Sequence, residues 1–342
     1  MERSRHGAVV FWLITGCVMI ACMVVIGGIT RLTGSGLSIT EWDPILGALP
    51  PMNAAEWEEA FAKYKRIPEY TLVNPDMDLA GFKDIFFWEY LHRNWGRLMG
   101  LVFLIPFVVF LRTKRISGWL LRRCWAILLG GALVAALGWF MVASGLSDRP
   151  DVSHVRLAIH LCAAFVVFSL VLWTVFDLLE ERRAFGATLT GPGLWSRLLL
   201  VLLAVQVVWG AFTAGLDAGK IYNSWPLMNG QFLPENVRAF GDLWTDLADH
   251  RDGVQFIHRN LAWLVAGATL VFALRYRREA ALEYRWSWLA AMVIVQFILG
   301  VYTVLGQVPL GLGVAHQLGA LVLLGLLLSV IHRTGRLLPN EG

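Results

Sequence analysis

Charge is what this sequence has least of. Asp, Glu, Lys and Arg make up only 16% of its 342 residues, against about 25% in a soluble domain. So few charged side chains cannot cover a water-exposed surface, which excludes an ordinary soluble enzyme, a disordered chain and a nucleic-acid-binding module. Cysteine is also sparse. Cys17, Cys22 and Cys162 lie in apolar runs and Cys124 lies near a basic loop, so no disulfide framework is visible. The net charge of +4 is modest, and in a membrane protein such a surplus belongs to cytoplasmic loops rather than to a nucleic-acid partner.

What the chain has in excess is apolar sequence: 57% of residues are hydrophobic and the mean hydropathy is +0.60. Segments long enough to cross a hydrocarbon layer of about 30 Å occur near 9–30, 87–111, 119–144, 154–176, 195–215, 254–274, 286–306 and 310–331. The expected fold is therefore all-α and integral to a membrane, with eight transmembrane helices. Met1–Ala8 is too short for a transit peptide, and no small-x-small cleavage site follows the first run. The first run is thus expected to be a retained helix in a bacterial inner membrane.

Lys and Arg set the orientation. Arg3 and Arg5, the Arg112–Arg123 loop, the Arg275–Arg285 loop and the Arg333–Arg336 tail are basic. The alternate loops are acidic: 31–86 holds nine Asp or Glu against five Lys or Arg, and 216–253 holds six against three. Both termini are expected on the cytoplasmic side, with two large loops outside.

The chain also repeats itself. Gly27-x-x-Thr30 returns as Gly210-x-x-Thr213, and Trp42-x4-Gly47-x3-Pro51 returns as Trp225-x4-Gly230-x3-Pro234, both at an offset of 183 residues. Leu91-His92-Arg93-Asn94 is echoed by Ile257-His258-Arg259-Asn260, and Leu137-Gly138-Trp139-Phe140 by Leu299-Gly300-Val301-Tyr302. Two four-helix halves are expected, residues 1–182 and 190–342, related by a pseudo-twofold along the membrane normal.

Of eight histidines, His6, His154, His250 and His332 fall at polar ends or helix mouths and are expected to be solvated. His92, His160, His258 and His316 fall one to each even-numbered span, about 5–8 residues past its start, or ~7–12 Å deep at 1.5 Å per residue. Each could simply bond a neighbouring helix. Four at matched depth under a repeat point instead to two ligand pairs, because ionisable groups in spans are costly and facing imidazoles in a helix bundle suit axial heme ligation. Zinc fits less well, since neither pair has a thiolate at its depth.

Arg93 and Arg259 directly follow two of these histidines. They suit either interfacial anchoring or pairing with heme propionates. Glu89 lies three residues before His92, on the same helical face, where the other half has Gln255. Glu89 either complements the helix N-terminus or makes the first site reactive and leaves the second structural or electron-transferring.

The stretch Gly27-Gly28-Ile29-Thr30-Arg31-Leu32-Thr33-Gly34-Ser35-Gly36-Leu37-Ser38, Glu89-x-x-His92-Arg93, His160, Asn223-Ser224-Trp225-Pro226, His258-Arg259 and Ala315-His316-Gln317 resemble the heme A synthase family. The resemblance runs along nearly the whole chain in order. It implies oxidation of a ring methyl of heme O to a formyl, by successive hydroxylation. It also implies heme b held by His258 and His316, with His92 and His160 flanking the substrate heme and candidate ligands of its iron. Glu89 would be the carboxylate needed for turnover, either delivering a proton or stabilising positive charge at the oxidised carbon. Partners implied are heme O, heme O synthase, membrane lipid and an electron donor the sequence does not name. Some bacterial members carry a cysteine pair in outer loops. This chain has none there, so it resembles the cysteine-less branch shared by proteobacterial and mitochondrial members.

A diheme b-type electron-transfer cytochrome is the main alternative, followed by a heme carrier. Stretches such as Gly130-Gly131-Ala132 suit packing within one chain or between copies, so a homo-oligomer stays open.

Overall fold

A computed structural model of the chain describes residues 3–41, 46–146, 150–181, 184–186 and 191–337. Eight of its helices are long and apolar enough to cross a membrane, and helix is the form such runs must take, since hydrocarbon offers a backbone no hydrogen-bonding partner. They are α1 (Arg3–Leu32), α4 (Leu79–Arg112), α5 (Gly118–Val142), α6 (His154–Leu179), α7 (Gly191–Gly215), α8 (Arg251–Arg275), α9 (Arg285–Leu305) and α10 (Leu310–Thr334). Two short helices, α2 (Ala54–Tyr64) and α3 (Pro68–Leu72), lie in the first long loop. Side chains mark several starts: Asn53 accepts from the Glu56 N–H, Asp78 from the Gly81 N–H and Ser153 from the Arg156 N–H.

Helices α1, α6, α7 and α10 are central. α1 packs on α4, α6 and α10; α6 packs on α5, α7 and α10; α10 packs also on α7 and α9, and α8 packs on α7 and α9. Each packing among the first four spans has its counterpart among the last four. The contact of α1 with α10 corresponds to that of α7 with α6. The main core runs through this centre, with Val9, Leu13, Phe107, Val171, Leu321 and Val330 among its fully enclosed side chains. Arg31, at the end of α1, crosses to the Ala214 carbonyl and pairs with Asp217 at 3.3 Å. Gln317 of α10 donates to the Val24 carbonyl of α1 at 3.3 Å.

Two expectations need correction. The second span begins at Leu79, so His92 lies thirteen residues into its helix, because the first two turns leave the apolar run to form a separate lobe. There Phe82, Ile85 and Phe86 bury against Phe61, Tyr64 and Ile67 of the first long loop, with Trp57 and Phe86 ring centres 5.0 Å apart. Second, His154 and His332 are not solvated. His154 is 3% exposed, 3.3 Å from Asp249 and edge-on to Phe212. His332 is fully enclosed, with Nε2 2.9 Å from Asp177 Oδ1. The all-α expectation holds, and the described residues add a short extended pair beside the helices, Ala184–Gly186 (β1) antiparallel to Arg336–Leu337 (β2). Trp42 of the sequence repeat and the half boundaries at 182 and 190 lie outside the described residues.

Candidate functional site

The four intramembrane histidines share one local design. A Cβ built on Gly138 would lie 3.0 Å from His160 Cε1, one on Gly210 3.0 Å from His258 Cε1, and one on Gly300 2.9 Å from His316 Cε1. On Gly27 it would lie 3.1 Å from His92 Nε2. Each glycine belongs to the spanning helix before the histidine's own, and each glycine sits in a repeated motif. The repeat is therefore a device for admitting an imidazole against a neighbouring backbone.

His258 and His316 face each other with ring centres 6.3 Å apart and planes at 87°. Two imidazoles bound to one metal through bonds of about 2 Å, with about 1 Å more from nitrogen to ring centre on each side, place their centres about 6 Å apart. The pair therefore fits axial ligation of a single ion. Among the described residues no group of three or more His, Cys, Asp or Glu could hold a metal. His160 Nδ1 lies 3.1 Å from the Val134 carbonyl.

Both Arg side chains that follow one of the four intramembrane histidines hold loops. Arg93 donates to the carbonyls of Ile39 at 2.7 Å and Glu41 at 2.9 Å. Arg259 donates to those of Tyr222 at 3.3 Å and Ser224 at 2.7 Å, the same two positions at the 183-residue offset. Propionate pairing and interfacial anchoring had been the two readings of these residues, and clamping the loop after the preceding span is a third.

Between clamp and histidine the two sites diverge. The Glu89 carboxylate, 3% exposed, accepts from Ser38 Oγ at 2.7 Å, the Ile39 N–H at 2.7 Å, and Arg93 Nε and Nη2 at 3.1 and 2.6 Å. Every one of these contacts is a donor, a cage shaped for an anion. At Gln255 the amide instead donates to the Tyr222 carbonyl at 3.1 Å. The same loop position thus turns its N–H to the acid in one half and its carbonyl to the amide in the other.

Two further groups carry no charge, so a search for ionisable residues passes over them. Gln206 Nε2 lies 3.1 Å from His258 Nδ1, and Gln296 Nε2 lies 3.2 Å from His316 Nδ1. Their signal in the sequence was an amide inside an apolar helix, four residues before the glycine of each motif.

Eight candidate spans, a facing histidine pair and a caged buried carboxylate define a polytopic membrane protein with a polar site buried among its helices. Known proteins narrow this further. The model of the cytochrome oxidase assembly protein family matches residues 10–328. The heme A synthase of Flavobacterium psychrophilum is 45% identical over 96% of this chain and 99% of its own length. That of Parvibaculum lavamentivorans is 43% identical over 97% and 96%, and that of Caulobacter vibrioides 44% over 98% of each. The chain belongs to the heme A synthase family.

Proposed function

We propose that this protein is a membrane oxidoreductase that converts heme O to heme A, oxidising a ring methyl to a formyl by successive hydroxylation. The observation that carries the reading is the His258–His316 geometry, with centres 6.3 Å apart, set against a first half that has matching histidines and a carboxylate where the second has Gln255. The names of the relatives support the same activity.

In this reading the chain forms two four-helix halves, 1–182 and 190–342, related by a pseudo-twofold, which the paired helix contacts and the repeated loop clamps support. His258 and His316 hold heme b, which when bound supplies one-electron transfer. His92 and His160 flank the substrate heme. Arg93 fixes the loop that lends Ser38 Oγ and the Ile39 N–H to Glu89. The carboxylate, held as an anion beside His92, stabilises positive charge developing at the oxidised carbon. The distribution of Lys and Arg supports a bacterial inner membrane with both termini cytoplasmic, which puts the histidines and the aromatic lobe near the outer face.

The test is chromatography of hemes extracted from cells that make heme O, with and without this protein. Heme A or its hydroxylated precursor is expected only with it. Heme O unchanged beside a heme-loaded protein would instead favour a diheme cytochrome or a carrier.

A further inference from the structure

Gln206 and Gln296 are polar groups inside apolar helices, and nothing in the reading above employs them. Each sits one helical turn before the glycine that admits a histidine, at Gly210 and Gly300, so glycine and glutamine lie on one helical face and meet the same ring. Each amide also donates to that histidine's own backbone carbonyl, at 3.1 Å from Gln206 and 2.9 Å from Gln296. Their Oε1 atoms are buried and have no hydrogen-bond partner. A buried acceptor left unused costs free energy on the order of 1–3 kcal/mol, which marks an unfinished arrangement.

We propose that Gln206 and Gln296 are positioning residues whose Oε1 atoms accept the Nδ1 proton of His258 and His316, committing both Nε2 atoms to a metal between the rings. The proposal rests on the heme b reading above. An imidazole that gives its Nε2 lone pair to a metal keeps its proton on Nδ1 and needs an acceptor there. An amide nitrogen facing Nδ1 suits the opposite tautomer, with the proton on Nε2 and no lone pair for a metal. A half-turn of the amide exchanges its nitrogen and oxygen and brings the orphaned Oε1 to Nδ1. The two ends of an amide are nearly equal in size, so the exchange needs no extra room. The bond given up runs to a carbonyl inside a helix, which keeps its own partner one turn on, and the amide must swing away from that carbonyl as it turns, because two acceptor oxygens do not bond.

The first half lacks this device. At the positions four residues before Gly27 and Gly138 stand Met23 and Val134. A thioether is only a weak acceptor, and His160 meets the fixed Val134 carbonyl instead. Among the described residues, side-chain amides on both rings are thus peculiar to the pair assigned to the resident heme. An acceptor on Nδ1–H makes the ligand more basic and lowers the reduction potential of the iron it binds.

Redox titration of purified full-length protein tests this. Gln206→Leu or Gln296→Leu should raise the midpoint potential of the low-spin heme and weaken its retention about 10- to 100-fold. Gln206→Glu or Gln296→Glu, a stronger acceptor of the same length, should lower the potential, a shift of sign that a packing role would not produce. Leu and Glu variants that keep heme at the wild-type potential, or that both move it the same way, would overturn the proposal. If a Leu variant does not accumulate, the Glu variant decides alone, and an unchanged or raised potential sinks the idea. Wild-type protein without low-spin heme, or His258→Ala retaining it, would remove the heme b reading and this proposal with it. Loss of heme in His258→Ala together with unmoved Gln variants would remove only this proposal.

Discussion

At the scale of single residues, the two halves use one scaffold with different side chains in it. Glycine opens the wall, histidine enters, and arginine clamps the loop in both halves, but the position before the clamp is Glu89 in one and Gln255 in the other. His258→Ala or His316→Ala is therefore expected to strip most low-spin heme from the purified protein, seen as loss of its absorption bands, while His92→Ala leaves them. Glu89→Ala should keep those bands yet abolish product in the heme chromatography. Glu89→Gln should fail equally, because it carries the neutral group found in the second half. Product from Glu89→Gln at the wild-type rate would remove charge as the reason for the acid.

Among the elements, the lobe formed by the first long loop is the least expected feature. Its residues looked like an acidic connection, but Trp57, Phe61 and Tyr64 are spaced to share one face of α2 and close over Phe82 and Phe86 of the extended α4. Glu69 of α3 is buried there at 8% exposure, and burial pushes its carboxyl up to about 7 from an ordinary 4.5. Below 4.5 the proton is held in both folded and unfolded chains. Between 4.5 and about 7 the folded lobe holds it more tightly, so the contribution of Glu69 to stability declines as pH rises through that window. Glu69→Gln should abolish the decline and stabilise the lobe at pH 7 by on the order of 1–3 kcal/mol. Limited proteolysis of the 54–78 segment from pH 5 to pH 8 checks this, and a variant as pH-dependent as the parent would rule Glu69 out.

Over the whole molecule, α6, α9 and α10 are joined at the end opposite the long loops. His332 Nδ1 lies 3.3 Å from Glu180 Oε2 and its Nε2 2.9 Å from Asp177, while Arg285 and Arg333 reach Glu180 at 3.1 Å each. Asp177 is also 3.7 Å from Arg123 of α5. This network ties the first four spans to the last four. Breaking a buried pair leaves a polar group without its partner, at a cost of about 3–5 kcal/mol. His332→Ala and Asp177→Ala should each lower the unfolding temperature in detergent by similar amounts, and the double variant by less than their sum. Full additivity would show that the two side chains act separately.

The eight spans could be read from the sequence because hydrocarbon imposes one strong, local demand on a chain. Apolar runs of sufficient length become helices whatever surrounds them. The repeat and its four histidines were legible for a related reason: a histidine set against a glycine of the preceding span needs particular residue types at particular helix positions, and the sequence carries the pattern twice. Everything that depended on which neutral or loop residue meets which neighbour was decided only by tertiary packing. His332 looked like a solvated tail residue and is enclosed because α6 brings it Asp177. The lobe looked like a loop because its aromatic side chains find partners only across the fold. Gln206 and Gln296 gain a partner only because two other helices place a ring nitrogen beside each. Local hydrophobicity is a property of the chain, whereas a hydrogen bond or an ion pair exists only once two distant segments share a place.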